Sequence, residues 1–82
     1  MSEDDILAII ARHTCEILPR LRGHPFKGSD SMRELGANSI DRSEITMMTL
    51  ESLSLSIPLV ETVKAQNIGE LAALLHAKLE LA

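Results

Sequence analysis

The chain has 82 residues, enough for one domain with a modest core and too few to enclose a deep catalytic cleft. Apolar residues make up 45% of it, yet Phe26 is the one aromatic; a composition led by leucine, isoleucine, alanine and methionine favours helices over sheet. The formal net charge of −4 argues against nucleic acid and for a basic partner protein, the single Cys15 excludes an internal disulfide, and no apolar run reaches the about 18 residues of a membrane span.

The opening MSEDDILAII does not read as a signal peptide, because it starts acidic and charge interrupts its apolar run. The expectation is a monomeric cytoplasmic domain over residues 1–82. Ser2 to Leu18 reads as the first helix. Ser2 is its N-cap, with Asp5 three residues on, and Glu3, Asp4 and Asp5 meet the positive end of the helix dipole. Ile6, Ile10, His13 or Thr14, Ile17 and Leu21 recur at helical spacing, widened by Leu7 and Leu18. Pro19 lacks an amide hydrogen and should end or kink this helix near Leu18.

Arg20 to Asn38 reads as a long loop punctuated by Gly23, Pro25 and Gly28. A loop of that length in a small domain is functional or tied down. Phe26, Met32 and Leu35 are its expected anchors into the core. Ser39 to Leu53 is the second helix, with Ile45, Met48 and Thr49 or Ser52 on one face and Leu53 closing it. One of Met47 and Met48 should pack in the core and the other be partly exposed. Ile57-Pro58 breaks the pattern, and Leu59 to Val63 suits a short helix of about one turn. Asn67 looks like an N-cap with Glu70 at the third helical position. Ile68, Leu71, Leu74 or Leu75, and Leu79 form the last amphipathic stripe, with Ala72 and Ala73 as strong helix formers. The result is an all-α fold, a small four-helix bundle of three longer helices and one short one.

Little here points to independent catalysis. His13, His24 and His76 are far apart, with no pair at metal-ligand spacing. His13 and Cys15 are two residues apart on a helix and do not face each other. Cys15 reads as a small buried apolar residue. No glycine-rich phosphate loop and no paired carboxylates in an acid–base arrangement are present.

The stretch ELGANSIDRSEI, Glu34 to Ile45, is different. Gly36 permits a tight turn, and Asn38 and Ser39 then stand together at a helix entrance. Either residue caps a helix well. Yet a hydroxyl at the start of a first turn is also open to a modifying enzyme, and a phosphodiester placed there meets free amides and the positive dipole end. Ile40 is apolar at a position expected to be exposed. Asp41, Glu44 and Glu51 add carboxylates along the same helix.

Leu35-Gly36-Ala37-Asn38-Ser39-Ile40-Asp41 resembles the acyl carrier protein signature, written L-G-x-D-S-L plus an acidic residue. The similarity needs no gap from Met32 to Pro58 and extends to the final helix. It implies the carrier-type four-helix bundle, with 4′-phosphopantetheine on Ser39 as a phosphodiester and an acyl group on the arm's thiol. It implies partner recognition by helix two, at Ile40, Asp41, Glu44, Met47 and Glu51, with Arg42 among them. Two departures stand out: Asn38 replaces the usual aspartate, and Arg42 adds a positive charge to a helix that is usually more uniformly acidic. Both point to specialised partners. With its N-S-[IL]-D-R pattern, RELGANSIDRSEI is similar to the stand-alone carriers of polyketide β-branching cassettes. Those hold an acetyl or propionyl unit for a 3-hydroxy-3-methylglutaryl (HMG) synthase-like enzyme. The implied partners are a phosphopantetheinyl transferase, an acyl-loading or decarboxylating ketosynthase-like enzyme, and the HMG-synthase-like enzyme. The alternatives are a fatty-acid or an aminoacyl or peptidyl carrier, and a cofactor-free helical interaction module.

Overall fold

Ser2 starts the first helix through a reciprocal cap. In the computed structural model, which describes residues 1–81, α1 runs Glu3–Ile17. The Asp5 amide donates to Ser2 Oγ at 3.1 Å, and the Ser2 amide donates to the Asp5 carboxylate at 2.9 Å. That Ser2 backbone N–H, followed by the Ser2 hydroxyl, holds the Asp5 carboxyl below its ordinary value. Ile6 and Ile10 are fully buried. Either His13 or Thr14 was expected on this stripe, and both are buried. Thr14 stays satisfied by donating to the Ile10 carbonyl at 2.7 Å.

The segment after α1 is more ordered than an open loop, which corrects the reading of Arg20 to Asn38. Pro19–Leu21 forms a 3₁₀ turn, because the fixed φ of Pro19 suits a first helical position, and it buries Leu21. Residues 32–36 make a further turn that closes on Gly36. The Ala37 amide returns to the Met32 carbonyl at 3.0 Å and the Gly36 amide to Arg33 at 3.1 Å. This is a Schellman closure, and its pivot needs the positive φ, +97°, that glycine adopts without strain. Of the three expected anchors, Met32 is buried and Phe26 packs half-buried against the core, edge-on to His24. Leu35 is half-buried but lies outside the core cluster, which corrects its assignment.

α2 runs Ser39–Ser52. Its inner face is Ile45, Thr46, Thr49, Leu50 and Leu53. Of the expected stripe, Ile45, Thr49 and Leu53 are buried, Met48 is half-buried, and Ser52 is exposed; Thr46 and Leu50 complete the face. The two threonines enter the core because their hydroxyls donate back to the Arg42 and Ile45 carbonyls at 2.9 and 2.8 Å. α2 ends in a second Schellman closure, Leu55 to Leu50 and Ser54 to Glu51, pivoting on Ser54 at φ +52°. The short element is a 3₁₀ turn, Leu59–Thr62, as its length suggested.

α3 runs Ile68–Leu81 and buries Ile68, Leu71, Ala72 and Leu75. Its first turn leaves no amide unpaired. Ile68 donates to the Asp30 carbonyl and Gly69 to the Gly28 carbonyl, both at 2.9 Å. Glu70 donates to Asn67 Oδ1 at 2.7 Å and Leu71 to the Asn67 carbonyl at 3.0 Å. The loop is therefore stitched to the start of α3. α1 packs against both α2 and α3, whose own backbones barely approach each other. The Leu59–Thr62 turn packs against α2, and the space left between α2 and α3 is a groove. The described residues form no strand.

Candidate functional site

Asn38, not Ser39, caps α2. Asn38 Oδ1 accepts from the Asp41 amide at 2.8 Å, and the Asp41 carboxylate accepts from the Asn38 amide at 3.2 Å. An asparagine oxygen serves this box as an aspartate would, so the departure at position 38 leaves the geometry intact. Ser39 becomes the first helical residue. It is exposed, and its hydroxyl has no hydrogen-bond partner among the described residues.

The amides around it follow from the same box. Asp41 N–H goes to the cap side chain and Arg42 N–H to the Asn38 carbonyl. Ser39 and Ile40 N–H have no protein acceptor among the described residues, in contrast to the fully paired first turn of α3. α1 also leaves two first-turn amides open, but Glu3, Asp4 and Asp5 meet its dipole there. α2 has a single first-turn carboxylate, Asp41, already tied into the cap.

Ser39 sits on the rim of the groove between α2 and the start of α3, about 420 Å³ in volume. Met32, Leu59, Ile68 and Leu71 supply its apolar lining. Ser43, Thr62, Gln66 and Asn67 make much of the remainder polar, and Arg33 and Arg42 bring two guanidiniums.

Four of the six candidate partner residues share one outward stripe. Ile40, Glu44, Met47 and Glu51 are spaced four, three and four residues apart, and all are exposed, Ile40 at 69%. Asp41 and Arg42 are half-buried and turn toward the helix entrance instead. Arg42 Nη1 donates to the Ala37 carbonyl at 2.8 Å, so it fastens the loop just ahead of the cap. Two apolar residues escaped the sequence reading. Val60 and Val63, on and just after the Leu59–Thr62 turn, are 69% and 71% exposed, and Val63 also lines the groove. A lone apolar residue in a short turn has no periodicity to report its facing.

A hydrolytic site is not built. Cys15 Sγ reaches the Leu21 carbonyl at 3.5 Å and is not paired with a histidine. His13 lies between Glu16 and Ser52, with Nε2 at 2.7 Å from Ser52 Oγ. That order of groups resembles a triad, but the amides of Leu53, Ser54 and Leu55 are all taken by the α2 C-cap. Those three amides are not free for an oxyanion, and the C-terminal dipole disfavours one. The cluster ties α1 to the end of α2. His24 pairs with Asp30 and His76 with Glu80. Among the described residues no cluster of metal-ligating side chains occurs, and no helix is long and apolar enough to cross a membrane.

Known proteins agree with this geometry. The phosphopantetheine attachment site family matches residues 5–75. The chain is 46% identical, over the full length of both proteins, to the polyketide biosynthesis acyl-carrier-protein AcpK of Bacillus subtilis (strain 168). It also superimposes, with a TM-score of 0.90 and 48% identity, on a chain in the crystal structure of the curacin biosynthetic pathway HMG synthase in complex with acetyl donor-ACP. That match covers 94% of this chain and 99% of the other.

Proposed function

The chain belongs to the phosphopantetheine-binding carrier family, and from that premise we propose that Ser39 is its attachment residue and that it delivers a short acyl group in polyketide β-branching. The protein is a carrier and not a catalyst, and its cofactor is covalent 4′-phosphopantetheine. Attached, the arm supplies a terminal thiol that holds an acyl group as a thioester.

The observation that carries the assignment is the free Ser39 hydroxyl. Asn38 has relieved it of capping, it is exposed, and it stands beside two unpaired amides at the positive end of α2. A phosphodiester fits there: the amides and dipole favour an anion, and the one nearby carboxylate already accepts the Asn38 amide. Tethering at the groove's rim raises the local concentration of the cargo for each partner enzyme.

The groove supports small cargo. Each CH₂ moved from water into an apolar site contributes about 0.8 kcal/mol, but hydroxyls and amides buried against an alkyl chain lose hydration. Ser43, Thr62, Gln66 and Asn67 interrupt the apolar lining of Met32, Leu59, Ile68 and Leu71, so a short acetyl or propionyl unit meets it with less polar burial than a long fatty chain would. The similarity to AcpK supports a role in polyketide biosynthesis, and the similarity to the acetyl donor-ACP crystallised with an HMG synthase favours β-branching. The partners under this reading are a phosphopantetheinyl transferase, an acyl-loading or decarboxylating ketosynthase-like enzyme and an HMG-synthase-like enzyme, all in the cytoplasm with the coenzyme A that loading draws on. They dock on the Ile40–Glu44–Met47–Glu51 stripe, with Val60 and Val63 beside it. The carboxylates steer basic rims and the apolar side chains fill small pockets.

The test is intact mass after incubation with coenzyme A and a broad-specificity phosphopantetheinyl transferase. The parent gains one phosphopantetheine and Ser39→Ala gains none. Equal gain in the variant removes Ser39 from the assignment. Glu44→Lys is expected to slow acyl transfer from an HMG-synthase-like partner several-fold at low salt, and unchanged kinetics would remove the stripe from the docking face.

A further inference from the structure

Arg42 departs from the acidic character of α2, and the structure accounts for only part of it. Its Nη1 donates to the Ala37 carbonyl at 2.8 Å. A guanidinium carries five N–H donors, and no carboxylate pairs with this one among the described residues. Asp41 beside it in sequence is turned into the cap of α2. The result is a half-buried cation, held in place by one hydrogen bond, with its remaining donors and its charge uncommitted.

Its position gives that charge a direction. Arg42 lies three residues after Ser39 in α2, and residues three apart are neighbours on a helix surface. Side chains in a helix lean toward its N-terminus, which carries Arg42 back over the turn that holds Ser39. Both residues line the same groove. The bond to Ala37 anchors the guanidinium at the helix entrance, so little further ordering is needed for it to meet an anion there.

We propose that Arg42 is a positioning residue for the prosthetic arm: its guanidinium, one helical turn beyond Ser39, holds the phosphodiester attached to that serine and keeps the arm's first segment over the groove. The proposal rests on Ser39 as the attachment residue. Phosphate is the anion this arrangement suits, because a guanidinium meets its oxygens with charge-assisted hydrogen bonds while the Ser39 and Ile40 amides approach from the helix end. Arg33 also lines the groove, but it is exposed on a turn and its side chain makes no hydrogen bond among the described residues, so it serves as the control cation.

The experiment uses holo protein of the parent, Arg42→Lys, Arg42→Gln and Arg33→Gln. Intact mass is read first; a parent that gains no phosphopantetheine, or a Ser39→Ala variant that gains one, refutes the attachment reading before Arg42 is tested. ³¹P NMR then reports the phosphodiester in folded and urea-unfolded protein. In the parent its resonance is displaced from the unfolded position. In Arg42→Gln it returns most of the way, in Arg42→Lys it keeps part of the displacement, and in Arg33→Gln it stays with the parent. Salt of about 1 M moves the parent toward Arg42→Gln, by screening. Melting of the apo proteins reads the Ala37 contact separately. An Arg42→Gln holo spectrum identical to the parent's, beside a destabilised apo form, would make Arg42 a loop clamp alone and overturn the proposal. An equal response in Arg33→Gln would also overturn it, by assigning the effect to the groove's general charge. Should Arg42→Gln not fold, Arg42→Lys and the salt series on the parent decide: no movement in either refutes it.

Discussion

Replacing Gly69 with alanine should weaken the seam that closes the groove. An alanine Cβ at this position would lie 2.8 Å from the Gly28 carbonyl oxygen and 2.9 Å from Gly28 Cα. Both are backbone atoms and cannot rotate away. The two segments must part by several tenths of an ångström, which strains the Gly69–Gly28 and Ile68–Asp30 hydrogen bonds, both 2.9 Å now. Two such bonds are worth about 2 kcal/mol net, and overpacking of this kind alone costs about 1–3 kcal/mol. Alanine in a helix regains about 1 kcal/mol over glycine. With the bonds strained rather than broken, so that about half of their worth is lost, the expected balance is a loss of about 1–3 kcal/mol. For a domain of this size that lowers the melting temperature by roughly 4–24 °C. Thermal melts followed by circular dichroism measure it. Gly28→Ala is the control: its Cβ meets Gly69 Cα at 3.4 Å, an ordinary contact, so it should stay within about 1 kcal/mol of the parent. A Gly69→Ala protein melting at or above the parent would refute the reasoning, because helix propensity would then outweigh the seam. The same variant should broaden the amide resonances of Asn67 and Ile68, which line the groove.

Three further predictions concern turns and caps. Ser54→Gly should raise stability by about 1 kcal/mol in denaturant unfolding, because Ser54 holds φ +52° where a side chain is strained. Asn38→Ala should lose about 1 kcal/mol, and Asn38→Asp should not. The alanine variant should also be phosphopantetheinylated more slowly, since its cap no longer presents Ser39. The Lys27 backbone N–H, followed by His24, holds the Asp30 carboxyl below its ordinary value. A carboxyl depressed in the folded state stabilises above its unfolded pKa, about 4, and loses that contribution as pH falls through the folded value. The margin of the parent over Asp30→Asn in thermal melts should therefore be full at neutral pH and close in acid. A margin that grew in acid would contradict the sign.

Much of the fold was legible because its signals are local. Ser2 with Asp5, Asn67 with Glu70, and the Pro19 break depend on residues within a turn of one another, and each lies where the sequence put it. Asn38 and Ser39 were left as equal candidates for one cap, because either oxygen can accept the same amide. The backbone chose Asn38, and that choice frees Ser39. The sequence leaves Thr49 and Ser52 as alternatives on the buried face of α2 and passes over Thr46, because threonine counts as polar in a periodicity. A threonine that bonds to its own helix is an apolar surface with a satisfied hydroxyl, and Thr46 and Thr49 both do this. His13 looked ordinary because its partner, Ser52, is 39 positions away.

By itself, then, the sequence determined the helical composition, the three helices, the caps of the first and last of them, and the short turn before the last helix, and its resemblance to the carrier signature singled out Ser39. Helices, caps and turn are set by propensity, by spacing and by hydrogen bonds that span three or four residues. Tertiary structure alone decided that α2 and α3 stand apart with a groove of mixed polar and apolar lining between them, that Gly28 and Asp30 cap α3 across the chain, and that Asp41 and Arg42 leave the outward stripe for the helix entrance and the loop. These depend on how α1 packs against both partners and on backbone groups tens of residues apart in sequence. No local pattern encodes that meeting, because side-chain periodicity reports which face is buried and not what covers it.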